Sequence, residues 1–551
     1  MTIRTRSRQP LKGKQIPEPL IGSFLLESIT TGMYGERKNA IREYVQNSFD
    51  GIQSAVGRRV LRKGDGKITV TMAEEKDSLI IHDNGIGLPK AVAVGTLVAV
   101  GASRKERGQQ AGFRGIGRLA GIAFSRILQF RTKAAGEDVE TLVWFDCDAL
   151  RRGMLESGRK PAVDLITDCT TYDQPRSADR DAHFFEVSLL GLRNAPVEAI
   201  DPIQLETFLS QVAPVDFHPD FSRFTDQIFA EAEELEIPEI KADDDVEEED
   251  APDWSVLEDD AHSMLARVPI PSVRVVVRVG GKGAERAVYK PYRPKMGLDD
   301  TQTDVQLTKV SLVYGESGSW WGWIGHKTKP GRFQNVAAMG LRFRLKNIQI
   351  DGSELITLVP TSNDVRGPFG SWSNWFVGEI HVDPRAVVPN ARRDNFEEDA
   401  RWLHIREEIS EVCQDLTREA RTVSKAHQTS IETLTARAGK LSEGFISVSR
   451  AKTFSMPKAR KLLNDSEKLQ RDIEKASNGA PAAELVRLKA ITKEVTRIRV
   501  GLVDKPQTPE YDKFRGAIRD EFLATTLEVL NDHLDIELYE DIKKALERRL
   551  R

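Results

Sequence analysis

Residues 40–50 read AIREYVQNSFD, and the reading of this stretch decides the rest. The segment is apolar and helical in pattern, yet Glu43, Asn47 and Asp50 stand at i, i+4 and i+7, which puts all three on one helical face. In a dry core such a column would be costly, because unpaired buried charge shifts its pKa or unfolds the site. It is reasonable if that face lines a pocket holding metal, water and phosphate.

Working outward, the pattern is helical from about Pro17 to Val56, with a break at Thr31-Gly32. Lys67–Ala73 (KITVTMA) and Ser78–Asp83 (SLIIHD) then read as β-branched, apolar strands joined by the polar turn EEKD. The second strand runs into Asp83-Asn84-Gly85-Ile86-Gly87. There a carboxylate can accept a hydrogen bond from an exocyclic amine, and glycines open space for a base. Farther on, AGFRGIGRLAGIAFS carries G-x-x-G-x-G at Gly112, Gly115 and Gly117, leading into a helix. Free amides at a glycine-rich helix start bind phosphate oxygens.

Each motif alone is common. In this order, and in these helix, strand and loop contexts, they resemble the GHKL ATPase superfamily: gyrase B subunits, ninety-kilodalton heat-shock chaperones, MutL repair proteins and sensor histidine kinases. The layout is closest to the heat-shock-chaperone-like members. The resemblance implies an α+β chain with an N-terminal Bergerat-type α/β sandwich, an α/β transducer domain and a mostly α-helical C-terminal region. It implies ATP as substrate and Mg²⁺ as cofactor. Glu43 would activate water, Asn47 would ligate Mg²⁺, Asp50 would support the pocket, and Asp83 would read the adenine amine. Gly85 and Gly87 would frame the base, while Gly112, Gly115 and Gly117 would cradle the triphosphate. Residues 101–110 (GASRKERGQQ) would form a mobile lid, with Ser103, Lys105 and Arg114 as phosphate contacts. In GEIHVDPRAVVPNARRDNFEED, similar to the strand, loop and helix of a transducer, register favours Arg393 over Arg392 as the arginine delivered to the γ-phosphate. A helix-capping salt bridge to Asp394 or Glu397 is the alternative role for that arginine. The family's usual threonine after the lid has His183 in its place, here read as a strand-start histidine with a structural role.

The 551-residue chain is too long for one core. The expected division is an ATP-binding domain at 15–225, an acidic linker or loop at 226–262, a transducer-like domain at 263–425 and a helical region at 426–551. Asp243–Asp250 (DDDVEEED) anchors the linker assignment. Ser272–Val279 (SVRVVVRV) reads as the opening strand of the second domain, and its tryptophans Trp320, Trp321, Trp323, Trp372 and Trp375 read as packing. RKLLNDSEKLQRDIEKA, the break at Asn478–Pro481 and AAELVRLKAITKEVTRIRVGL read as a helical hairpin. No internal repeat is present.

Eighty basic and 84 acidic residues leave a net charge of −4, so the whole chain has no bias toward nucleic acid. Cys147, Cys169 and Cys413 match no metal or redox spacing. No apolar run approaches the roughly 20 residues that cross a bilayer. These features predict a cytoplasmic protein with no membrane association. The function expected is an ATP-dependent homodimeric clamp acting on a protein client or partner complex. The alternatives are a DNA-acting ATPase of MutL or MORC-like type, for which KPYRPK (290–295) and GHKTKPGR (325–332) are the candidate contacts, and a nucleotide-gated binding module with little hydrolysis.

Overall fold

The computed structural model describes residue 26 and residues 36–100, 117–156, 161–236, 263–298, 304–327, 331–350, 356, 372–390, 395–428, 430–450, 455–477, 482–503, 509–533 and 536–550. The chain is α+β and divides into two compact units, Met1–Arg418 and Glu419–Arg551. Among the described residues no helix is long and apolar enough to cross a membrane.

Among the described residues the first long element of the first unit is helix α1 (Asn39–Gly57), the helix of the opening stretch. It has no side-chain cap and no acidic residue in its first turn, so packing must hold it. Ile41, Tyr44, Val45, Phe49 and Ile52 supply that packing against the sheet, and burying each such side chain contributes about 1.5–3 kcal/mol. Strands β1 (Lys67–Met72) and β2 (Ser78–Asp83) form the expected hairpin, with Lys76 in the left-handed region at φ 58° closing its turn. There follow α2 (Lys90–Val98), a 3₁₀ helix at Gly117–Ala123, β3 (Ile127–Lys133), β4 (Thr141–Asp146), α3 (Cys147–Glu156), α4 (Ala162–Asp168), β5 (Thr170–Asp173), β6 (Phe184–Leu190), α5 (Pro202–Val212) and α6 (Ser222–Glu234).

Strand β7 (Arg274–Val279), the SVRVVVRV segment, pairs in parallel with β1, Lys67 opposite Arg274 and Met72 opposite Val279. It thus extends the first sheet instead of opening the second. With β8 (Arg286–Val288) it completes the order β5-β4-β3-β6-β2-β1-β7-β8. The strand signal was legible because Val275 and Val277 point into the core; its partner, about two hundred residues earlier, was not.

After a two-stranded ribbon of β9 (Lys295–Gly297) and β10 (Asp304–Gln306), a five-stranded sheet is built from β11 (Lys309–Tyr314), β12 (Trp320–His326), β13 (Gly340–Leu345), β14 (Ile348–Gln349) and β15 (Val377–Val382), in the order β11-β12-β15-β13-β14. Lys346 and Asn347, both at positive φ, make the two-residue turn between β13 and β14. Trp320, Trp321 and Trp323 are fully buried, as expected of packing residues, and Trp372 and Trp375 are half-buried.

Glu379 on β15 is also fully buried, and its oxygens accept from Lys290 Nζ at 2.5 Å, Tyr292 Oη at 3.3 Å, Trp323 Nε1 at 3.4 Å and Arg344 Nε. Burial pushes its carboxyl up, but Arg344 and Lys290 overcome this and hold it well below the usual range. Within KPYRPK, Lys290 is therefore withdrawn from solvent, whereas Arg293 is half-buried and Lys295 is exposed. Lys290 and Tyr292 are core residues, and the Lys290 charge neutralises a buried glutamate. In GHKTKPGR, Lys327 likewise packs over Phe333 and Trp375 and donates to the Trp375 carbonyl at 2.7 Å.

Helix α7 (Ala400–Gln428) crosses the division between the units. In the second unit, α8 (Ile431–Arg450), α9 (Met456–Ser477) and α10 (Ala482–Val503) share one core that includes Leu434, Leu441, Leu469, Ile473, Val495 and Ile498. The expected hairpin is α9 and α10, completed by α8 into a three-helix bundle. Helices α11 (Pro509–His533) and α12 (Ile536–Leu550) follow.

Candidate functional site

A pocket of about 240 Å³ lies between α1, the end of β2 and the 3₁₀ helix. Of the expected site residues it gathers Asn47, Asp50, Asp83 and Gly87. Glu43 stands one turn before Asn47 on α1 and is buried, outside the pocket lining. Ser54 continues the polar column to i+11, lines the pocket and anchors its hydroxyl on the Asp50 carbonyl at 2.9 Å.

Asp83 is fully buried at the C-terminal end of β2. Its Oδ1 accepts from the Gly85 amide at 2.8 Å, while Oδ2 has no hydrogen-bond partner. Burial pushes the carboxyl up to about 7, against the opposing pull of the Ser48 hydroxyl and the Gly85 amide. A buried acceptor left without a donor costs about 1–3 kcal/mol or more, so an open valence on a pocket wall favours a ligand that donates to it.

The loop after Asp83 is tied down on every side. Asn84 accepts from the Lys67 amide at 2.7 Å and donates to the Asp65 carbonyl at 2.9 Å, while the Ile86 amide donates to Gly51 O at 3.1 Å. Gly85 lies outside the pocket lining, and its glycine serves contact with α1: a Cβ there would come within 2.7 Å of the Gly51 carbonyl carbon. At Gly87 a Cβ would fall 1.9 Å from the Lys133 carbonyl oxygen, and φ is +63°. Thr132 closes the loop, accepting from the Leu88 amide at 2.9 Å and donating to the Phe184 carbonyl at 3.0 Å.

His183 bonds the Gly85 carbonyl through Nδ1 at 2.8 Å. The residue paired with Asp83 across the sheet is Phe185, which lines the pocket with Phe130 and Val187. Cross-strand register made these apolar wall residues, and nothing local in the sequence marks them.

Gly117 begins the 3₁₀ helix, which Tyr44 clamps by donating to the Arg118 carbonyl at 3.0 Å and accepting from the Gly121 amide at 2.8 Å. Arg118 was not singled out in the sequence, yet it lines the pocket half-buried and donates to the Thr96 carbonyl near the end of α2. Burial lowers its pKa, with no carboxylate opposing the shift among the described residues. Ser103, Lys105, Gly112, Arg114 and Gly115, together with Arg392 and Arg393, lie outside the described residues, as does the acidic run at 243–250.

No family model matches the chain. It is similar to the chaperone protein HtpG of Psychrobacter arcticus, 28% identical over 154 residues that cover 25% of this chain and 23% of the relative. HtpG of Psychrobacter cryohalolentis is 28% identical over 134 residues, 21% of this chain and 20% of the relative. HtpG of Escherichia coli O1:K1 / APEC is 26% identical over 140 residues, 22% of each. The chain thus spans about a quarter of the length of the curated relatives it matches.

Proposed function

We propose that this chain is a magnesium-dependent, ATP-hydrolysing conformational switch of the GHKL type, working in the cytoplasm as an ATP-gated homodimeric clamp on a protein client. The observation that carries the reading is the buried, unpartnered Oδ2 of Asp83 on the wall of the pocket beside α1. The adenine amine would donate to that oxygen, whereas guanine would bring a carbonyl to it. The ring would lie against Phe130, Phe185 and Val187. Similarity to proteins named as chaperones supports the choice of a protein client.

Asn47 offers a hard side-chain oxygen at the pocket wall, which fits Mg²⁺, an ion commonly held by one or two protein ligands plus phosphate oxygens and water. When bound, the ion would neutralise charge on the phosphates. Asp50 would hold the ordered water around that site, and Arg118 would face the anionic part of the nucleotide. The amides of Gly112, Gly115 and Gly117, with Ser103, Lys105 and Arg114, would enclose the triphosphate. Glu43 would take a proton from water as its oxygen attacks the γ-phosphorus and the bond to ADP breaks. Arg393 would stabilise the charge gathering on the phosphoryl oxygens.

Purified protein should hydrolyse ATP in the presence of Mg²⁺. Glu43→Ala should bind ATP as tightly as the parent while turnover falls by roughly 10²-fold or more, the usual contribution of a general base. Unchanged turnover in that variant would remove Glu43 from the chemistry.

A further inference from the structure

Charge is spread unevenly along this chain. Residues 431–503, which include α8, α9 and α10, hold 15 basic and 8 acidic side chains, against 65 and 76 in the remainder. On α9, Leu463, Ser466, Leu469 and Ile473 face the bundle core, while Lys461, Lys468, Arg471 and Lys475 are exposed along the opposite side. At a rise of 1.5 Å per residue that basic stripe runs about 21 Å.

Beside it a groove of about 530 Å³ is lined by Thr433, Arg437, Lys468, Arg471, Asp472 and Lys475. Asp472, its single carboxylate, already serves two cations, Arg437 at 2.8 Å and Lys475 at 3.6 Å. Among the described residues Lys468 and Arg471 have no ion-pair partner. The Ser430 hydroxyl accepts from the Thr433 amide at 3.3 Å, so side chains, and not an open helix end, carry the positive charge.

We propose that this groove and stripe bind the phosphate backbone of duplex nucleic acid without regard to sequence. Four cations against one carboxylate in a concave site raise the local concentration of a polyanion. The lining contains no apolar or aromatic side chain. A protein partner would need such groups to form an interface core, and single strands would need them for base stacking. A duplex backbone needs only a row of cations, since it carries one charge per about 1.7 Å of axis.

The test uses the full chain without nucleotide, so it does not depend on the ATP site. Binding of a fluorescent DNA duplex of arbitrary sequence is followed by anisotropy while KCl is raised, with polyglutamate as a competing polyanion. The groove's four cations should contribute about −3.6 to the slope of log K against log salt. The triple variant Lys468→Ala, Arg471→Ala, Lys475→Ala should lose about 2.7 of that slope and most of the affinity. Asp472→Asn removes the one repelling carboxylate and should tighten binding, a gain that a folding defect would not produce. An unchanged slope in the triple variant, weaker binding by Asp472→Asn, or capture of polyglutamate in preference to the duplex would overturn the proposal.

Discussion

Asp83 and Glu379 are both withdrawn completely from solvent, and their surroundings could hardly differ more. Glu379 is met by a lysine, an arginine, a tyrosine hydroxyl and a tryptophan N–H, and stays ionised. Asp83 has the Gly85 amide on Oδ1, the pull of the Ser48 hydroxyl and no hydrogen bond to Oδ2, and its pKa is pushed up to about 7. Burial alone therefore distinguishes nothing. A buried carboxylate whose valences are filled joins parts of the fold, and one with a valence left open beside a pocket is positioned for a ligand.

The comparison can be broken first at Glu379. Glu379→Ala would leave Lys290 and Arg344 buried together without a counter-charge, and should cost roughly 3–5 kcal/mol in denaturant unfolding of the first unit. A loss below about 1 kcal/mol, within the range of an exposed ion pair, would show that the cluster is not the buried lock described.

Asp83 should give an effect of similar size that depends on pH. Its folded pKa, near 7, lies above the ordinary aspartate value of 3.8, so between these values the folded state holds a proton that the unfolded state has lost. Stability should be highest below about pH 4 as far as this group is concerned, and should fall as pH rises through about 7. At roughly 1.4 kcal/mol per unit, that loss is on the order of 4 kcal/mol. Asp83→Asn should remove this slope and be more stable than the parent at pH 8. A slope common to both proteins would assign the pH dependence to other groups.

The two regions were unequally legible in the sequence. That Asn47 and Asp50 share a face of α1, and that Asp83 and Gly87 lie in one loop, could be read because both are spacings of a few residues on one element. Phe185 and the pairing of β7 with β1 could not, since strand register joins residues about a hundred to two hundred positions apart. The place of Lys290 in KPYRPK was hidden for a related reason: local charge does not disclose that it is paired with Glu379, 89 residues later. Arg118 follows the last glycine of a motif whose glycines drew the attention, and only the turn of the 3₁₀ helix brings it to the pocket. The basic stripe of α9 has a regular spacing, but the charge of the whole chain averages it away.

The most direct measurement is a calorimetric titration of ATP with Mg²⁺ into the parent protein and into Asp83→Asn at pH 8. With the Gly85 amide donating to the asparagine oxygen, the new amide nitrogen would occupy the place of Oδ2 and present a donor to the donor of adenine. The parent should bind ATP at least about tenfold more tightly than GTP, and Asp83→Asn should lose ATP affinity by at least the same factor, about 1.4 kcal/mol. Equal ATP affinity in the two proteins, or no ATP binding by the parent, would contradict the assignment of this pocket to an adenine nucleotide.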